Sequence, residues 1–128
     1  MILYKMPLPI ITDLANRQQF SELLLSNPGL IIIKFGAEWC GPCKTIEADV
    51  LSSFSSMPDT VQCVIVDIDK SVDLYAFLKM KRMVNGVPCF LCYKKGNTRF
   101  VPDEAFGGTD KPKLRQFFAS CLELLDNV

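Results

Sequence analysis

The sequence has no excess of charge of either sign. Its 128 residues include 14 lysines and arginines and 14 aspartates and glutamates, so the formal net charge at pH 7 is zero. Proteins that bind nucleic acid or anionic membranes through their overall field need a net positive charge. We therefore expect neither nucleic acid nor a membrane as a partner, and recognition has to depend on local contacts.

Long apolar stretches are also missing. The longest, Leu30–Ile33 and Val87–Tyr93, fall far short of the roughly 20 residues that a membrane-spanning helix needs. The segment Met1–Pro9 has neither an uninterrupted apolar stretch nor a clear small-residue cleavage site, so it is not typical of a secretory signal peptide. These absences predict a cytoplasmic protein whose thiols are mostly reduced.

The chain contains no internal repeat, low-complexity tract or linker. Hydrophobic residues make up 49% of it and charged residues 22%, which suits one compact domain with a sizeable core. We therefore expect residues 1–128 to form a single domain, and we expect that domain to act as a monomer.

Six cysteines are present, and two of them belong to the motif Trp39-Cys40-Gly41-Pro42-Cys43. The motif follows an apolar run, and Pro42 suits the first turn of a helix because its missing N–H costs no hydrogen bond there. The positive end of that helix favours the thiolate of Cys40, which is therefore the predicted nucleophile. Cys43 can then resolve a mixed disulfide on Cys40. Trp39, Gly41 and Pro42 would support the site around the two sulfurs.

A family resemblance rests on the motif and on a second segment. Phe35, Ala37–Lys44 and Gly86–Pro88 closely resemble the active site of thioredoxins, and the resemblance covers most of the chain. It implies a thiol–disulfide oxidoreductase that reduces protein disulfides, with Cys40–Cys43 as a redox-active disulfide and no other cofactor. It also implies that a thioredoxin reductase or the glutathione system supplies the electrons.

The same resemblance implies how the site binds its substrate. Pro88 corresponds to the family's cis-proline, and Val87 before it corresponds to the residue whose backbone meets an extended substrate peptide. Gly107 corresponds to a glycine in the loop that borders the substrate groove. Trp39, beside the nucleophile, is expected to form part of the rim.

The remaining pattern predicts alternating strands and helices. We expect extended segments at Pro7–Thr12, Leu30–Phe35, Val61–Asp67, Pro88–Lys94 and Thr98–Phe106, and helices at Asn16–Leu25, at Pro42–Phe54, from Ser71 to near Met83 and after Asp110. Asn16 with Gln19 indicates a capping box, and Ser71 and Asp110 indicate N-caps. The order β-α-β-α-β-α-β-β-α predicts an α/β, thioredoxin-like fold with a central mixed sheet flanked by helices on both faces.

Zinc binding is an alternative for the motif. Cys89 and Cys92 form a second C-x-x-C pair, which together with Cys40 and Cys43 could supply four ligands. The gap between the pairs is much longer than in common zinc sites. Cys89 and Cys92 also lie three apart in a strand pattern, which places them on opposite faces of a sheet. We therefore predict no metal.

The four cysteines outside the motif have a simpler interpretation. Cys63, Cys92 and Cys121 are interpreted as small buried hydrophobic residues. Cys89 directly follows Pro88, so a third redox sulfur near the site is an alternative there.

Several positions depart from the thioredoxin pattern. The family usually has a buried aspartate in the strand before the motif, where this chain has Lys34, and a lysine in the following strand, where it has Ile65. Gly36 replaces the usual aromatic residue, and Ala48 replaces the proline that kinks the motif helix. The segment Gly96–Gly107 is longer than usual.

Lys34 has two interpretations. Its side chain either reaches out to solvent at the sheet edge or places its ammonium beneath the site near Cys43. Glu47 lies one helical turn after Cys43 at (i, i+4), hence on the same side of the helix, where it could pair with Lys34 and exchange the positions of acid and base. Both are thus candidates for active-site support.

Two classes of function follow from these residues. The first is the oxidoreductase, acting on disulfide-containing protein substrates. The second is an adaptor or assembly subunit that keeps the fold for protein contact, with an incidental dithiol. An adaptor would need neither both thiols nor Pro88, so the enzyme is the favoured prediction.

Overall fold

The computed structural model describes residues 6–126. The predictions for Met1–Lys5 and for the last two residues, including the ends of the expected domain and the start of the segment without signal-peptide features, lie outside these residues. The elements in chain order are α1 (Arg17–Leu25), β1 (Leu30–Gly36), α2 (Gly41–Ser55), β2 (Val61–Asp67), α3 (Val72–Met80), β3 (Cys89–Lys94), β4 (Glu104–Gly107) and α4 (Lys111–Asp126).

Strand β1 is central in the sheet, whose strand order is β2-β1-β3-β4. All seven of its residues are buried, as the unbroken β-branched run predicts for a strand covered on both faces. It pairs parallel with β2, with Leu30 opposite Val61, and antiparallel with β3, with Phe35 opposite Cys89. Strands β3 and β4 are antiparallel, so the sheet is mixed.

Helices cover both faces of the sheet, and each face has its own apolar cluster. Helices α1 and α3 pack on one face through Phe20, Leu24, Leu74 and Leu78, against Ile31 and Ile33 of β1. Helices α2 and α4 pack on the other face through Ile46, Val50, Phe54, Leu114, Phe117 and Phe118, against Leu30 and Ile32. Alternate residues of β1 therefore serve the two clusters, and the predicted α/β class is confirmed.

The predicted helix starts are correct within a residue or two. Two of the three predicted N-cap residues cap their helix through the side chain, and one does not. Asn16 caps α1 by accepting a hydrogen bond from the backbone N–H of Gln19 at 2.9 Å, and Asp110 accepts one from the N–H of Lys113 at 3.0 Å. Ser71 occupies the N-cap position of α3, as predicted, but its side chain makes no capping hydrogen bond. The Ser71 hydroxyl instead donates to the carbonyl of Leu14 at 2.6 Å, which ties the segment before α1 to the start of α3.

The strand predicted from Thr98 to Phe106 is wrong in its first part, since β4 begins only at Glu104. The intervening chain is held in a loop by polar side chains. The amide of Asn97 donates to the carbonyl of Val101 and to Asp103, and Asp103 also accepts from the backbone N–H of Lys94 at 2.9 Å. These local bonds replace the hydrogen bonds of a longer hairpin.

The first extended segment forms only one bridge to the sheet. Ile11 pairs in parallel with Val64, with backbone hydrogen bonds of 3.1 Å to Cys63 and 2.9 Å from Ile65. At one end of the sheet, β1 is followed by the start of α2, and the loop before β3 lies beside this junction.

Candidate active site

The motif occupies the turn between β1 and α2. Cys40 is the N-cap of α2, with extended backbone angles of −82° and 101°, and Pro42 lies in the first turn, as predicted. The backbone N–H of Cys43 donates to Cys40 Sγ at 3.1 Å, and the two sulfurs are joined as a disulfide. A proline in the first helical turn and a sulfur as the N-cap acceptor are what the sequence C-G-P-C supplies.

Hydrogen bonding, and not exposure, distinguishes the two sulfurs. Cys40 is 3% exposed and Cys43 is 4% exposed. Cys40 Sγ lies at the positive end of α2 and accepts a backbone N–H there, an arrangement that stabilises a thiolate over a thiol. Cys43 Sγ faces the interior beside Gly36, where a Cβ would lie 3.5 Å from the sulfur.

A groove opens beside Cys40. The Val87–Pro88 peptide bond is cis, and Cys40 Sγ lies 3.7 Å from the carbonyl oxygen of Val87. Within residues 6–126, the backbone N–H of Val87 donates to no protein group. The groove has a volume of about 430 Å³ and runs between the 83–89 segment and the end of β4.

Gly107 lines this groove at the end of β4. A Cβ added there would lie 3.9 Å from the carbonyl oxygen of Pro88, and that oxygen accepts the N–H of Gly108 at 3.2 Å. Gly108 has a φ of +114°, so glycine suits the turn that follows the strand. The loop is thus held against Pro88 while the groove stays open at Gly107.

Trp39, which was predicted to form part of the rim, is not among the residues that line the groove. It is 67% exposed, and its Nε1 donates to Asp69 Oδ2 at 2.8 Å. Sequence reasoning missed Asp69, which follows β2. Its signal was weak, because Asp67-Ile68-Asp69 resembles an ordinary polar turn after a strand.

A second cavity, of about 380 Å³, lies on the interior side of the motif and is bordered by β1, α2 and β2. Its lining includes Lys34, Gly36, Cys43, Glu47 and Ile65. Lys34 belongs to the central strand β1 and is only 8% exposed, so it does not lie at a sheet edge, and its side chain borders this cavity. It is brought together with Cys43, whereas Ala48 is not among the lining residues.

Lys34 and Glu47 share this cavity without direct contact. Among residues 6–126, the ion pairs closer than 4.0 Å are Arg17–Asp73 and Lys111–Asp49, so Lys34 and Glu47 do not form one. Burial lowers the pKa of the Lys34 ammonium from its usual range, and the charge of Glu47 partly opposes that effect.

A family model decides what kind of site this is. The model of thioredoxin matches residues 11–120 of the chain. The chain belongs to the thioredoxin family.

Individual thioredoxins are similar over most of their length. The thioredoxin of Mycoplasma pneumoniae is 32% identical over 107 residues, which make up 84% of this chain and 96% of that protein. The thioredoxin of Ophiophagus hannah is 37% identical over 94 residues, 72% of this chain and 81% of that protein. The X-ray structure of Fasciola hepatica thioredoxin has a TM-score of 0.69 at 28% identity, covering 87% of this chain and 98% of that one.

Family membership, together with the disulfide in the motif, identifies the activity. The protein is a thiol–disulfide oxidoreductase of the thioredoxin type, and the Cys40–Cys43 disulfide is its active group. The fold and the membership of the thioredoxin family, both predicted from the sequence, are confirmed.

The other four cysteines of this thioredoxin lie in apolar surroundings and are unpaired. Cys63 belongs to the cluster under α2 and α4, and burial raises the pKa of its thiol to about 12. Cys92 and Cys121 are fully buried in the same cluster, where contact with Cys121 and burial raise the pKa of the Cys92 thiol. These three are core residues, as expected.

Cys89 differs because it also lines the groove. It is 8% exposed, and burial raises the pKa of its thiol, although backbone hydrogen bonds at Asn85 and Phe90 oppose that effect. A raised pKa disfavours the thiolate that redox chemistry needs. The raised pKa thus argues against Cys89 as a third redox sulfur, whereas its place in the groove lining keeps that alternative a prediction.

Cys89 and Cys92 lie in clusters on opposite faces of the sheet, as their spacing predicts. Among the residues that the structure describes, no group of three or more histidine, cysteine, aspartate or glutamate side chains is placed to hold a metal ion. Within the same residues, no helix combines the length and apolar character that crossing a membrane requires.

Proposed function

We propose that this thioredoxin reduces disulfides in protein substrates, with Cys40 as the nucleophile and Cys43 as the resolving thiol. The observation that supports this best is the position of Cys40 Sγ. It caps α2, accepts the N–H of Cys43 at 3.1 Å, is joined to the Cys43 sulfur, and lies beside the Val87 carbonyl at the groove.

In the first step, the Cys40 thiolate attacks one sulfur of the substrate disulfide. A mixed disulfide forms, the substrate S–S bond breaks, and the other substrate sulfur leaves with the electron pair and takes a proton from solvent. The helix terminus and the Cys43 N–H favour the attacking thiolate at neutral pH.

In the second step, Cys43 loses its proton and its sulfur attacks Cys40 Sγ. The Cys40–Cys43 bond forms, the mixed disulfide breaks, and the remaining substrate sulfur leaves as a thiolate that is then protonated. The substrate has gained two electrons, and the protein dithiol has become the disulfide present in this structure.

The groove supports a polypeptide as the substrate. Val87 presents its carbonyl at the edge of the groove, and its backbone N–H has no protein acceptor within residues 6–126, as a strand-like partner requires. Gly107 leaves room on the opposite wall. Trp39, which directly precedes Cys40, offers an exposed aromatic surface to a substrate. An extended segment on either side of a substrate cysteine would thus lie along Val87 and Pro88.

Regeneration requires a second redox partner. We propose a thioredoxin reductase or the glutathione system as the electron donor, and the cytoplasm as the compartment, since the four other thiols are unpaired. In that setting the chain transfers electrons from the donor to protein disulfides.

The adaptor hypothesis has less support. An adaptor would not need two sulfurs at bonding distance, a capped helix start beside them, or an open groove at Cys40. The departures at Lys34 and Gly36 lie in the lining of the interior cavity and not in that of the groove.

Insulin reduction tests the proposal. The unmodified protein with excess dithiothreitol should accelerate insulin precipitation, and Cys40→Ser should reduce the rate to that of dithiothreitol alone. A Cys63→Ala variant, which removes a thiol away from the site, should keep the activity. Catalysis by Cys40→Ser at the unmodified rate would refute the assignment, and inactivity of the unmodified protein would favour the adaptor.

A further inference from the structure

The interior cavity places a lysine where the second sulfur of the motif faces inward. Lys34 and Gly36 project to the same face of β1 as Leu30 and Ile32, toward α2. A Cβ on Gly36 would lie 3.5 Å from Cys43 Sγ and 3.6 Å from Lys34 Cε. The absent side chain at Gly36 therefore leaves one small space that the lysine stem and the sulfur both border.

The charge of Lys34 has no direct partner. Within residues 6–126, it takes part in no ion pair, and no buried side-chain nitrogen or oxygen lacks a hydrogen-bond partner. Because Lys34 makes no side-chain hydrogen bond in this part of the chain, its Nζ must be accessible from the cavity. An ammonium in such a site is stabilised by any anion that forms beside it.

The surrounding charges do not neutralise it by contact. Glu47 is exposed on α2 and acts on Lys34 only through space. Glu38 after β1, Lys44 on α2 and Asp67 at the end of β2 complete the charged lining of the cavity. Lys34 is buried, so solvent screens its charge less, and its ammonium gains more from a nearby negative charge than an exposed lysine would.

We propose that Lys34 is the counter-charge of the Cys43 thiolate, a charge-stabilising residue for the resolving step. The inference rests on the proposed role of Cys43 as the resolving thiol. When Cys43 gives its proton to solvent in the cavity, the ammonium of Lys34 faces the resulting thiolate. That thiolate attacks Cys40 Sγ, the substrate sulfur leaves, and the negative charge beside Lys34 is lost as the disulfide forms. Glu47 weakens the effect from the cavity mouth.

The proposal assigns the interaction to the reduced state. A cation that stabilises the thiolate lowers the pKa of Cys43 and makes the disulfide more oxidising, because it favours the reduced form. Removing the charge has two opposing effects on rate. Each unit by which the thiol pKa rises costs tenfold in thiolate, while the nucleophilicity of that thiolate increases, so the resolving rate below the pKa falls by about threefold.

The experiment uses the full chain and three variants. Lys34→Met removes the charge at similar length, Lys34→Arg keeps it, and Glu47→Gln removes the opposing charge at an exposed position. The carbon-13 shift of the Cys43 Cβ in reduced, cysteine-labelled protein reports its pKa without any turnover. Equilibration with glutathione at pH 8 reports the potential.

Lys34→Met should raise the pKa of Cys43 by at least about one unit and shift the glutathione equilibrium toward the protein disulfide by up to about tenfold, or about 30 mV. Lys34→Arg should stay near the unmodified protein, and Glu47→Gln should shift both quantities the other way by a smaller amount. The Glu47 variant changes no buried group, so it gives a test even where Lys34→Met does not fold.

Unchanged values in Lys34→Met, or in Glu47→Gln where Lys34→Met does not fold, would overturn the proposal. Equal shifts in Lys34→Met and Lys34→Arg would overturn it too, because they would indicate a packing effect. The titration does not depend on insulin reduction, so a failure here is distinguishable from a failure of the proposed function.

Discussion

The two sulfurs of one disulfide face different surroundings. Cys40 Sγ lies 3.7 Å from the carbonyl oxygen of Val87, which lines a groove together with Pro88 and Gly107, and we call this the substrate side. Cys43 meets the cavity formed by Lys34, Gly36 and Glu47, which we call the interior side. The first matches the thioredoxin pattern and the second departs from it.

The difference follows from what each side is made of. The substrate side consists largely of backbone groups, a proline and glycines, whose positions are set by the course of the chain. The interior side consists of side chains in an accessible cavity, which can be exchanged while the backbone stays the same. A TM-score of 0.69 with Fasciola hepatica thioredoxin at 28% identity agrees with a kept backbone. We therefore expect substitutions on the interior side of this chain to alter its redox behaviour without a change of fold.

The largest expected effect separates the roles of the two sulfurs. Cys40→Ser and Cys43→Ser should both reduce catalysed insulin reduction to background, because each lacks one of the two sulfurs that the cycle needs. Only Cys43→Ser should accumulate a covalent complex with a disulfide substrate, visible as a mass increase that disappears with reductant. A covalent complex on Cys40→Ser through Cys43 would reverse the two roles and with them the comparison.

The next effect tests the substrate side alone. Gly107→Val fits the extended backbone of β4, yet its side chain would extend into the groove beside the Pro88 carbonyl. The KM for insulin should rise by about tenfold, whereas kcat changes little, since the lost contacts are made by the substrate backbone and not by the sulfurs.

A small aromatic disulfide is the matched control substrate. It reaches Cys40 without lying along the groove, so Gly107→Val should reduce it at the unmodified rate. An equal loss on both substrates would mean that the variant disturbs the sulfurs, and the groove assignment would be wrong.

Cys63 is a reference for the interior side, because it is a buried thiol in the cluster on the same face of the sheet and its pKa is raised by burial. Burial raises the pKa of Cys63 from 9.0 to about 12. A thiol whose pKa is raised by folding stabilises the folded state fully below its unfolded pKa near 9. That contribution is lost as the pH rises toward about 12, because the unfolded chain then binds fewer protons.

The free energy of unfolding should therefore fall above pH 9, with Cys63 contributing at most about 1.4 kcal/mol per pH unit. Urea titrations in excess reductant between pH 7 and 11 measure this slope, and Cys63→Ala should make it shallower. The slope is the quantity to compare, since the variant also loses packing at neutral pH. An unchanged slope would show that the interior does not raise thiol pKa values, and Cys43 would then need no counter-charge.

Much of this architecture could be predicted because its signals are local. The unbroken run Leu30–Ile33 indicated a central strand, the limits of β2 were predicted correctly, and Pro42 marked the start of α2. These features depend on residues that are neighbours in sequence, where propensity and periodicity act directly.

The failures concern groups with distant or competing partners. The hydroxyl of Ser71 is used by Leu14, which lies 57 positions away, so the capping rule could not foresee it. Asp103 accepts hydrogen bonds from Lys94 and Asn97, and these hold as a loop a segment whose sequence pattern predicted a strand. The sequence could not decide whether the side chain of Lys34 reaches solvent or lies near Cys43. The decision depends on the missing side chain at Gly36 and on the packing of α2, which together leave room for the lysine stem in the cavity.

The smallest expected effect concerns Trp39, which we expect to form the rim of the substrate side. The hydrogen bond from Trp39 Nε1 to Asp69 is exposed to solvent, so its loss in Asp69→Ala should cost less than about 1 kcal/mol of stability and change insulin reduction by no more than about twofold. Because Trp39 is the single tryptophan of the chain, its fluorescence anisotropy reports the ring directly. Anisotropy should fall in Asp69→Ala, where nothing holds the indole, and remain high in Asp69→Asn, whose amide oxygen still accepts the N–H. If Asp69→Ala raised the KM for insulin as much as Gly107→Val, the rim would bind substrate as strongly as the groove, and the substrate side would have to be extended to include Trp39.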